Sequence, residues 1–290
     1  MHIKIYYILF FAMVIVGFSN CGKHNNTPVN PTPNTPIAAA TYLNFSYGTD
    51  ALQKMDVYLP TGRTTAKTKT VIIVHGGSWS GGDKNDMTAY VAPLQALWPE
   101  VAIVNINYRL AAPSTQHPAQ LNDVTSAINF LKTKKADWNI TDTFGLIGAS
   151  AGAHLGLLYL ADNPTQQNVR VMGDVFGPTS FLDAAWINSF LVTPVVENFL
   201  GAPYASNPTL WRNASPLNKI TSSFVPTTIF HGTADVVVPV RQSDSLDLKL
   251  TALGVPHNYT RYVGEMHGFN NTNNADMITK IVLFFKLYLK

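Results

Sequence analysis

The chain has 290 residues, of which 46% are hydrophobic and 13% are charged, with a formal net charge of +3 at pH 7. This length and apolar content fit one large α/β domain with an extensive core. Lys and Arg are scattered, so the sequence lacks the basic stripe that nucleic-acid binding requires. The single cysteine excludes an intramolecular disulfide, and the eight histidines lack metal-ligand spacing, so we expect neither a metal nor another cofactor.

The N-terminus predicts an export signal. Lys4 precedes an apolar run, residues 5–18, that is long enough for a signal peptide and short for a membrane span. The residues up to Cys21 resemble a bacterial lipoprotein cleavage site, although Asn20 stands where a small residue is usual. We expect removal of residues 1–20 as a signal peptide and lipidation of Cys21, which would anchor an exported protein in the cell envelope. An ordinary secretory signal and an uncleaved anchor are the alternatives.

The next segment, residues 22–40, is rich in Pro, Asn and Thr and predicts an extended, solvated tether. A folded domain is expected over residues 41–290. It begins with two alternating stretches, 42–47 and 55–59, which flank a turn and predict an antiparallel pair of strands.

Beyond residue 70, short apolar runs alternate with amphipathic segments. The apolar runs predict strands at 71–74, 101–106, 144–147, 169–176 and 227–230, and a further strand is predicted at 258–263. The amphipathic segments predict helices at 86–97, 123–135, directly after Ser150, at 240–253 and at the C-terminus. The alternation predicts an α/β fold with a mostly parallel sheet of about eight strands and helices on both faces.

Residues 177–215 interrupt this alternation after the sixth strand, with several prolines and short helical patterns that carry Trp and Phe. We interpret this segment as an excursion over the site that shapes a substrate pocket. The alternative is a helix packed on the sheet with a long loop.

Ser150 is the centre of a Gly-x-Ser-x-Gly motif between a predicted strand and a predicted helix. This strand, turn and helix are typical of a nucleophile elbow, where a strained turn holds the serine hydroxyl clear of the sheet. A serine is protonated at its ordinary pKa, so its activation requires a base, an orienting acid and oxyanion donors.

Two further strand-end loops carry Asp235 and His267. Ligands bind such sheets beyond the carboxyl ends of the strands, so these side chains are expected to face the same crevice as Ser150. We predict that Ser150 is the nucleophile, His267 the base and Asp235 the acid of a catalytic triad.

Other acids and histidines are weaker candidates. Asp244 and Asp247 fall inside a helical pattern, and His257 lies at the start of a strand, at the opposite edge of the sheet. His75 and His154 are interpreted as structural.

The oxyanion hole is expected to consist of backbone N–H groups from Gly77, Ser78 and Ala151. Ala151 follows the nucleophile at a helix N-terminus, and the other two lie in the turn after the 71–74 strand. The alternative for Gly76 and Gly77 is an ordinary tight turn.

Several blocks of sequence together resemble the α/β-hydrolase carboxylesterases, in the branch that contains bacterial feruloyl and acetyl esterases and arylformamidase-like enzymes. These blocks are residues 75–79 (HGGSW) with 82–84 (GDK), 107–110 (NYRL) with 117–119 (HPA) and Asp123, 148–155 (GASAGAHL), and 231–235 (HGTAD) with 238–239 (VP). Ser78 replaces the third glycine of the lipase-type motif, which leaves its backbone donor intact, and Ser180 replaces an Asp that the branch carries.

The resemblance implies the α/β-hydrolase fold from about residue 42 to 290 and a serine carboxylesterase that works through an acyl-enzyme. For an exported enzyme, we expect small-molecule or carbohydrate-linked esters, such as acetyl or hydroxycinnamoyl groups on polysaccharide. An arylformamidase or a peptidase of the same fold is the alternative within enzymes. A hydrolase-like binding module without catalytic activity is the alternative from another class.

Overall fold

The computed structural model describes residues 36–164 and 168–290, so the predicted signal peptide, Cys21 and most of the predicted tether lie outside the described residues. Described residues before 41 already contact the domain: the Gly62 N–H donates to the Ile37 carbonyl at 2.8 Å, and Arg63 donates to the Ala38 carbonyl. In these two ranges, no helix combines the length and the hydropathy that a membrane span needs.

Within the described residues, eight strands form one sheet. The strands are β1 (Ala40–Ser46), β2 (Lys54–Leu59), β3 (Thr70–Val74), β4 (Ala102–Ile106), β5 (Phe144–Ala149), β6 (Val169–Val175), β7 (Thr227–Gly232) and β8 (His257–Tyr262). Their order across the sheet is β1-β2-β4-β3-β5-β6-β7-β8. β2 is antiparallel to both of its neighbours, whereas β3 to β8 run parallel. The predicted, mostly parallel sheet is therefore confirmed.

Helices connect these strands. They are α1 (Thr88–Leu97), α2 (Ala119–Thr133), α3 (Lys135–Trp138), α4 (Ala151–Asp162), α5 (Ala184–Ile187), α6 (Thr193–Leu200), α7 (Pro208–Asn213), α8 (Arg241–Leu253) and α9 (Asn271–Tyr288). Short 3₁₀ helices span Lys84–Met87 and Pro216–Asn218. α2 begins four residues before the predicted start at Asp123, directly after Pro118, which is its N-cap residue.

The core lies on both faces of the sheet. In β3, Ile72 and Val74 pack with α2 and α4, and the alternate residues Val71 and Ile73 pack with α1 and α9. Full burial of each such side chain stabilises the fold by about 1.5–3 kcal/mol. Because both faces are covered, β3 and β5 are almost entirely apolar, as expected for parallel strands in an α/β protein, whereas β4 and β6 each carry a buried polar residue, Asn105 and Asp174.

Candidate active site

The turn between β5 and α4 has the geometry of a nucleophile elbow. Ser150 has φ 52° and ψ −120°, and its backbone N–H donates to the Val175 carbonyl on β6 at 2.9 Å. A Cβ on Gly148 would lie 2.5 Å from the backbone of Ala153, and a Cβ on Gly152 would lie 2.3 Å from the Val74 carbonyl oxygen. Both glycines are therefore required for the close packing of strand, turn and helix.

The structure brings Ser150, His267 and Asp235 together, although 117 residues separate the first two. The Ser150 Oγ lies 2.9 Å from His267 Nε2, and His267 Nδ1 lies 2.6 Å from Asp235 Oδ2. The Asp235 side chain is fully buried, whereas that of His267 is 20% exposed. This arrangement can move a proton from the serine hydroxyl to the imidazole while the carboxylate orients the ring.

The carboxylate of Asp235 is held on both oxygens. Its Oδ1 accepts the backbone N–H groups of Val237 at 2.8 Å and Val238 at 2.9 Å, and its Oδ2 lies 3.1 Å from His231 Nε2. Burial alone raises the pKa of Asp235, but hydrogen bonds from His231 and His267 lower it more, so the pKa lies below its usual range. Asp235 is consequently ionised at neutral pH.

Two residues at this site were assigned no role from the sequence. His231 stands inside the HGTAD block, and the signal that identifies it is its position at the end of β7, four residues before Asp235. Phe176 follows β6 with φ 45°, and its ring lies 4.5 Å from the ring of His267, centroid to centroid. Phe176 also contacts Phe269, so this apolar contact supports the ring of His267 from the side.

The predicted oxyanion donors lie next to the elbow. Ala151 is the first residue of α4, so its N–H has no acceptor within the helix. Ser78 and Ala151 line the same cavity as Ser150, and Gly77 immediately precedes Ser78 in the loop after β3. Gly77 has φ +108°, and a Cβ there would meet the Gly81 carbonyl oxygen at 2.2 Å. The loop therefore depends on glycine at position 77.

Buried aromatic contacts fix this loop. The ring of Trp79 stacks on Phe199 at 4.5 Å between centroids, and its Nε1–H donates to His154 Nδ1 at 3.1 Å. His154 Nε2 donates to the Ala214 carbonyl at 2.8 Å. Burial lowers the pKa of His154 to about 3, so this histidine is neutral and holds α4, the loop and residue 214 together.

The weaker candidates occupy structural positions. His75 is fully buried, bonds the Gly76 carbonyl through Nδ1 at 2.6 Å and stacks on Tyr108. Asp244 accepts from the Tyr259 hydroxyl at 2.7 Å, and Asp247 pairs with His257 at 3.1 Å. In residues 36–164 and 168–290, no group of three His, Cys, Asp or Glu side chains is arranged to hold a metal ion.

A cavity of about 360 Å³ opens beside the Ser150 hydroxyl. Its lining residues are Ser78, Trp79, Ser150, Ala151, Pro178, Trp186, Ser189, Leu191, Val192, Val195, Val196 and Val236 to Val238. Half of them belong to the segment 177–215, so this segment covers the site as the excursion interpretation predicted. None of these described lining residues is charged, and the lining is mainly apolar.

Comparisons with known proteins give a consistent family and fold. The sequence profile of the family described as BD-FAE matches residues 55–250. Esterase LipC of Mycobacterium tuberculosis is 27% identical over 79% of this chain, which spans only 60% of the length of that relative. A kynurenine formamidase of Meyerozyma guilliermondii is 25% identical over 81% of this chain and 90% of its own length.

Among solved structures, a truncated carbohydrate esterase from gut microbiota superposes with a TM-score of 0.72. It is 24% identical, and the match covers 88% of this chain and 99% of that protein. The match shows that the sheet and its helices form the α/β-hydrolase fold.

Proposed function

This chain belongs to the BD-FAE family, and we propose that it is a serine hydrolase that cleaves carboxylic esters with Ser150, His267 and Asp235 as its triad. The observation that carries the proposal is the continuous series of hydrogen bonds from the Ser150 Oγ through His267 to Asp235 Oδ2. A strained elbow presents this serine to an apolar cavity, as an acyl-transfer nucleophile requires.

In the proposed acylation step, the Ser150 Oγ attacks the ester carbonyl carbon while its proton passes to His267 Nε2. The carbonyl oxygen gains a negative charge, which the backbone N–H groups of Gly77, Ser78 and Ala151 stabilise. Each such donor contributes about 3 kcal/mol in the transition state. Asp235 stabilises the imidazolium form of His267 and stays ionised, because its pKa is lowered.

In the proposed later steps, the bond between the carbonyl carbon and the alkoxide oxygen breaks, and His267 gives its proton to the departing alcohol. Water then attacks the acyl-enzyme while His267 takes a proton from it. Release of the carboxylic acid returns that proton to Ser150, so the enzyme ends each cycle in its starting state.

For the substrate, we propose acetyl or hydroxycinnamoyl esters carried on polysaccharide, with the hydroxycinnamoyl group preferred. The cavity of about 360 Å³, with Trp79, Trp186 and a wall of valines, supports this preference. An acetyl group would leave most of that volume unfilled, whereas a planar apolar acyl group buries more of its surface there.

The second candidate is an arylformamidase, which the kynurenine formamidase relative favours. N-formylkynurenine carries an ammonium and a carboxylate, and buried charges need charged or strongly polar partners. The residues that line the cavity in the described part of the chain are uncharged, so they favour a carboxylesterase over an arylformamidase.

The test compares product release from feruloylated arabinoxylan, acetylated xylan and N-formylkynurenine, with Ser150→Ala as the control. We expect ferulate release to have the highest kcat/KM and the Ser150→Ala variant to release nothing above background. Faster formate release from N-formylkynurenine than acid release from either ester would instead establish the second candidate.

We also propose that the protein is exported and carries lipid on Cys21, which rests on the sequence pattern alone. Radiolabelled fatty acid is expected on the wild-type protein and not on Cys21→Ser. Absence of label from both proteins would contradict lipidation and favour ordinary secretion.

A further inference from the structure

A second histidine, His231, touches the acid of the proposed triad. Its side chain is fully buried at the end of β7, and hydrogen-bond partners hold both ring nitrogens. Nε2 lies 2.7 Å from the Val238 carbonyl oxygen and 3.1 Å from Asp235 Oδ2, and Nδ1 lies 2.7 Å from the Ser243 Oγ. A carbonyl oxygen only accepts, so the network assigns the proton to Nε2. Nδ1 can then accept from the Ser243 hydroxyl.

With His231 included, four N–H groups face the carboxylate of Asp235, and the Nε2–H of His231 is shared between Oδ2 at 3.1 Å and the nearer Val238 carbonyl oxygen at 2.7 Å. The backbone N–H groups of Val237 and Val238 reach Oδ1, and the rings of His267 and His231 reach Oδ2. A rotation of the carboxylate would break several of these bonds at once. His231 is therefore placed to keep Oδ2 directed at Nδ1 of His267.

We propose that His231 is a positioning residue for the proposed hydrolysis, fixing the orientation and the charge of Asp235 through its Nε2–H. Val238 and Ser243 are part of the same network, because the Val238 carbonyl requires the proton on Nε2 and the Ser243 hydroxyl can donate to Nδ1. The inference rests on the proposed function, since Asp235 matters to catalysis only if His267 activates Ser150.

The charge of the carboxylate gives this role a measurable signature. The Nε2–H of His231 draws negative charge from Oδ2 of Asp235. The carboxylate therefore stabilises protonated His267 less than it would without this second donor. Loss of the donor is therefore expected to move the acidic limb of the activity profile to higher pH. The ionisable groups that face His231 are Asp235 and, from β6, Asp174, so the Asp174→Asn variant serves as a pH control.

The test uses His231→Gln and His231→Asn as a matched pair. A glutamine amide nitrogen reaches the position of Nε2 and keeps the donor to Asp235, whereas an asparagine amide reaches only the position of Nδ1, toward Ser243. The glutamine variant thus loses the ring and the contact with Ser243, whereas the asparagine variant loses the ring and the contacts of Nε2 with Val238 and Asp235.

The readout is the second-order rate of Ser150 phosphonylation by a fluorophosphonate, measured from pH 5 to 9 on the full chain. Phosphonylation reports activation of Ser150 without requiring the correct ester. We expect His231→Asn to lower this rate constant by about 10–100-fold, because small misplacement of a catalytic group costs up to about 10²-fold. We also expect it to move the acidic limb of the pH profile to higher pH. His231→Gln is expected to restore most of the rate.

Equal losses in both variants with an unmoved acidic limb would overturn the proposal and leave His231 a purely structural role, as would wild-type rates in both. Thermal unfolding of each variant shows whether a lost rate reflects lost folded protein. If wild-type Ser150 is phosphonylated but no ester is hydrolysed, the proposed function fails while the inference on His231 is still decided. If wild-type Ser150 does not react, both fail.

Discussion

The strand-end loops and the segment 177–215 meet at one cavity but are held in different ways. Each functional side chain on the loops is fixed by hydrogen bonds: Ser150 to His267, His267 to Asp235, and Asp235 to two backbone N–H groups. The segment 177–215 presents mainly apolar side chains to the same cavity and packs through an aromatic cluster. The members of that cluster are Phe181, Trp186, Phe199 and Trp211.

This difference predicts that the strand-end loops set the catalytic rate and that the segment 177–215 sets the substrate preference. A hydrogen-bonded group works only in one geometry, so changes at the strand ends should lower the rate for every substrate. Apolar walls can change shape without disturbing that geometry, so changes in the segment 177–215 should redistribute preference among substrates. The predictions below challenge this separation.

The largest effect is expected for Ser150→Ala, which removes the proposed nucleophile. We expect kcat for p-nitrophenyl acetate to fall by about 10⁴-fold or more, because the triad acts as a unit. Steady-state kinetics measure this loss, and an unchanged melting temperature would show that the fold is intact. Turnover well above the uncatalysed rate would assign the nucleophile to another residue.

The next effect is expected for Gly77→Ala, because the added Cβ would collide with the Gly81 carbonyl oxygen and the φ of +108° is unfavourable for alanine. Displacement of the adjacent oxyanion donors should lower kcat by about 10²–10³-fold for all esters. Gly81→Ala is the matched control, since a Cβ there meets only ordinary contact at 3.6 Å and should cost little. Equal activity in the two variants would contradict this role for the loop.

A smaller effect concerns Asp174, which lies fully buried on β6 beneath the strand-end loops. Burial raises its pKa from 3.8 to about 7. The unfolded chain loses this proton first as the pH rises from about 4 to 7, so the free energy of unfolding should decrease over that range, by on the order of a few kcal/mol.

Asp174→Asn should remove this contribution and flatten the dependence on pH, which urea unfolding at pH 5 and pH 8 measures. The exposed Asp137 provides a control, because Asp137→Asn should keep nearly the wild-type slope. The same slope in Asp174→Asn and in the wild type would show that Asp174 does not retain its proton in the fold.

The smallest effect is expected in the segment 177–215. Val195→Trp narrows the cavity, so it should lower kcat/KM for a feruloyl ester by about 10-fold while the acetyl ester is hardly affected. Phe190→Ala, on the same segment but 86% exposed and outside the cavity lining, is the control. An equal loss of kcat/KM for the feruloyl and acetyl esters with Val195→Trp would contradict the distinction between the segment 177–215 and the strand-end loops.

Much of the fold and of the candidate site was predictable from local sequence pattern. The apolar runs of β3 and β5 are almost continuous because both faces of the parallel sheet are covered there, and such runs are visible in the sequence. Ser150, Asp235 and His267 each follow a predicted strand, which the structure places as β5, β7 and β8. Parallel strands end at a common edge, so the sequence indicated that all three side chains face one crevice.

The tertiary structure alone decided how these groups meet. The 2.9 Å and 2.6 Å contacts of His267 join residues far apart in the chain, and they depend on the sheet order, which no local pattern encodes. The same holds for His231 behind Asp235 and for the uncharged lining that residues 178–196 bring over Ser150. Periodicity reports which face of an element is buried, whereas distances between side chains follow from how separate elements pack, and only the folded chain determines that packing.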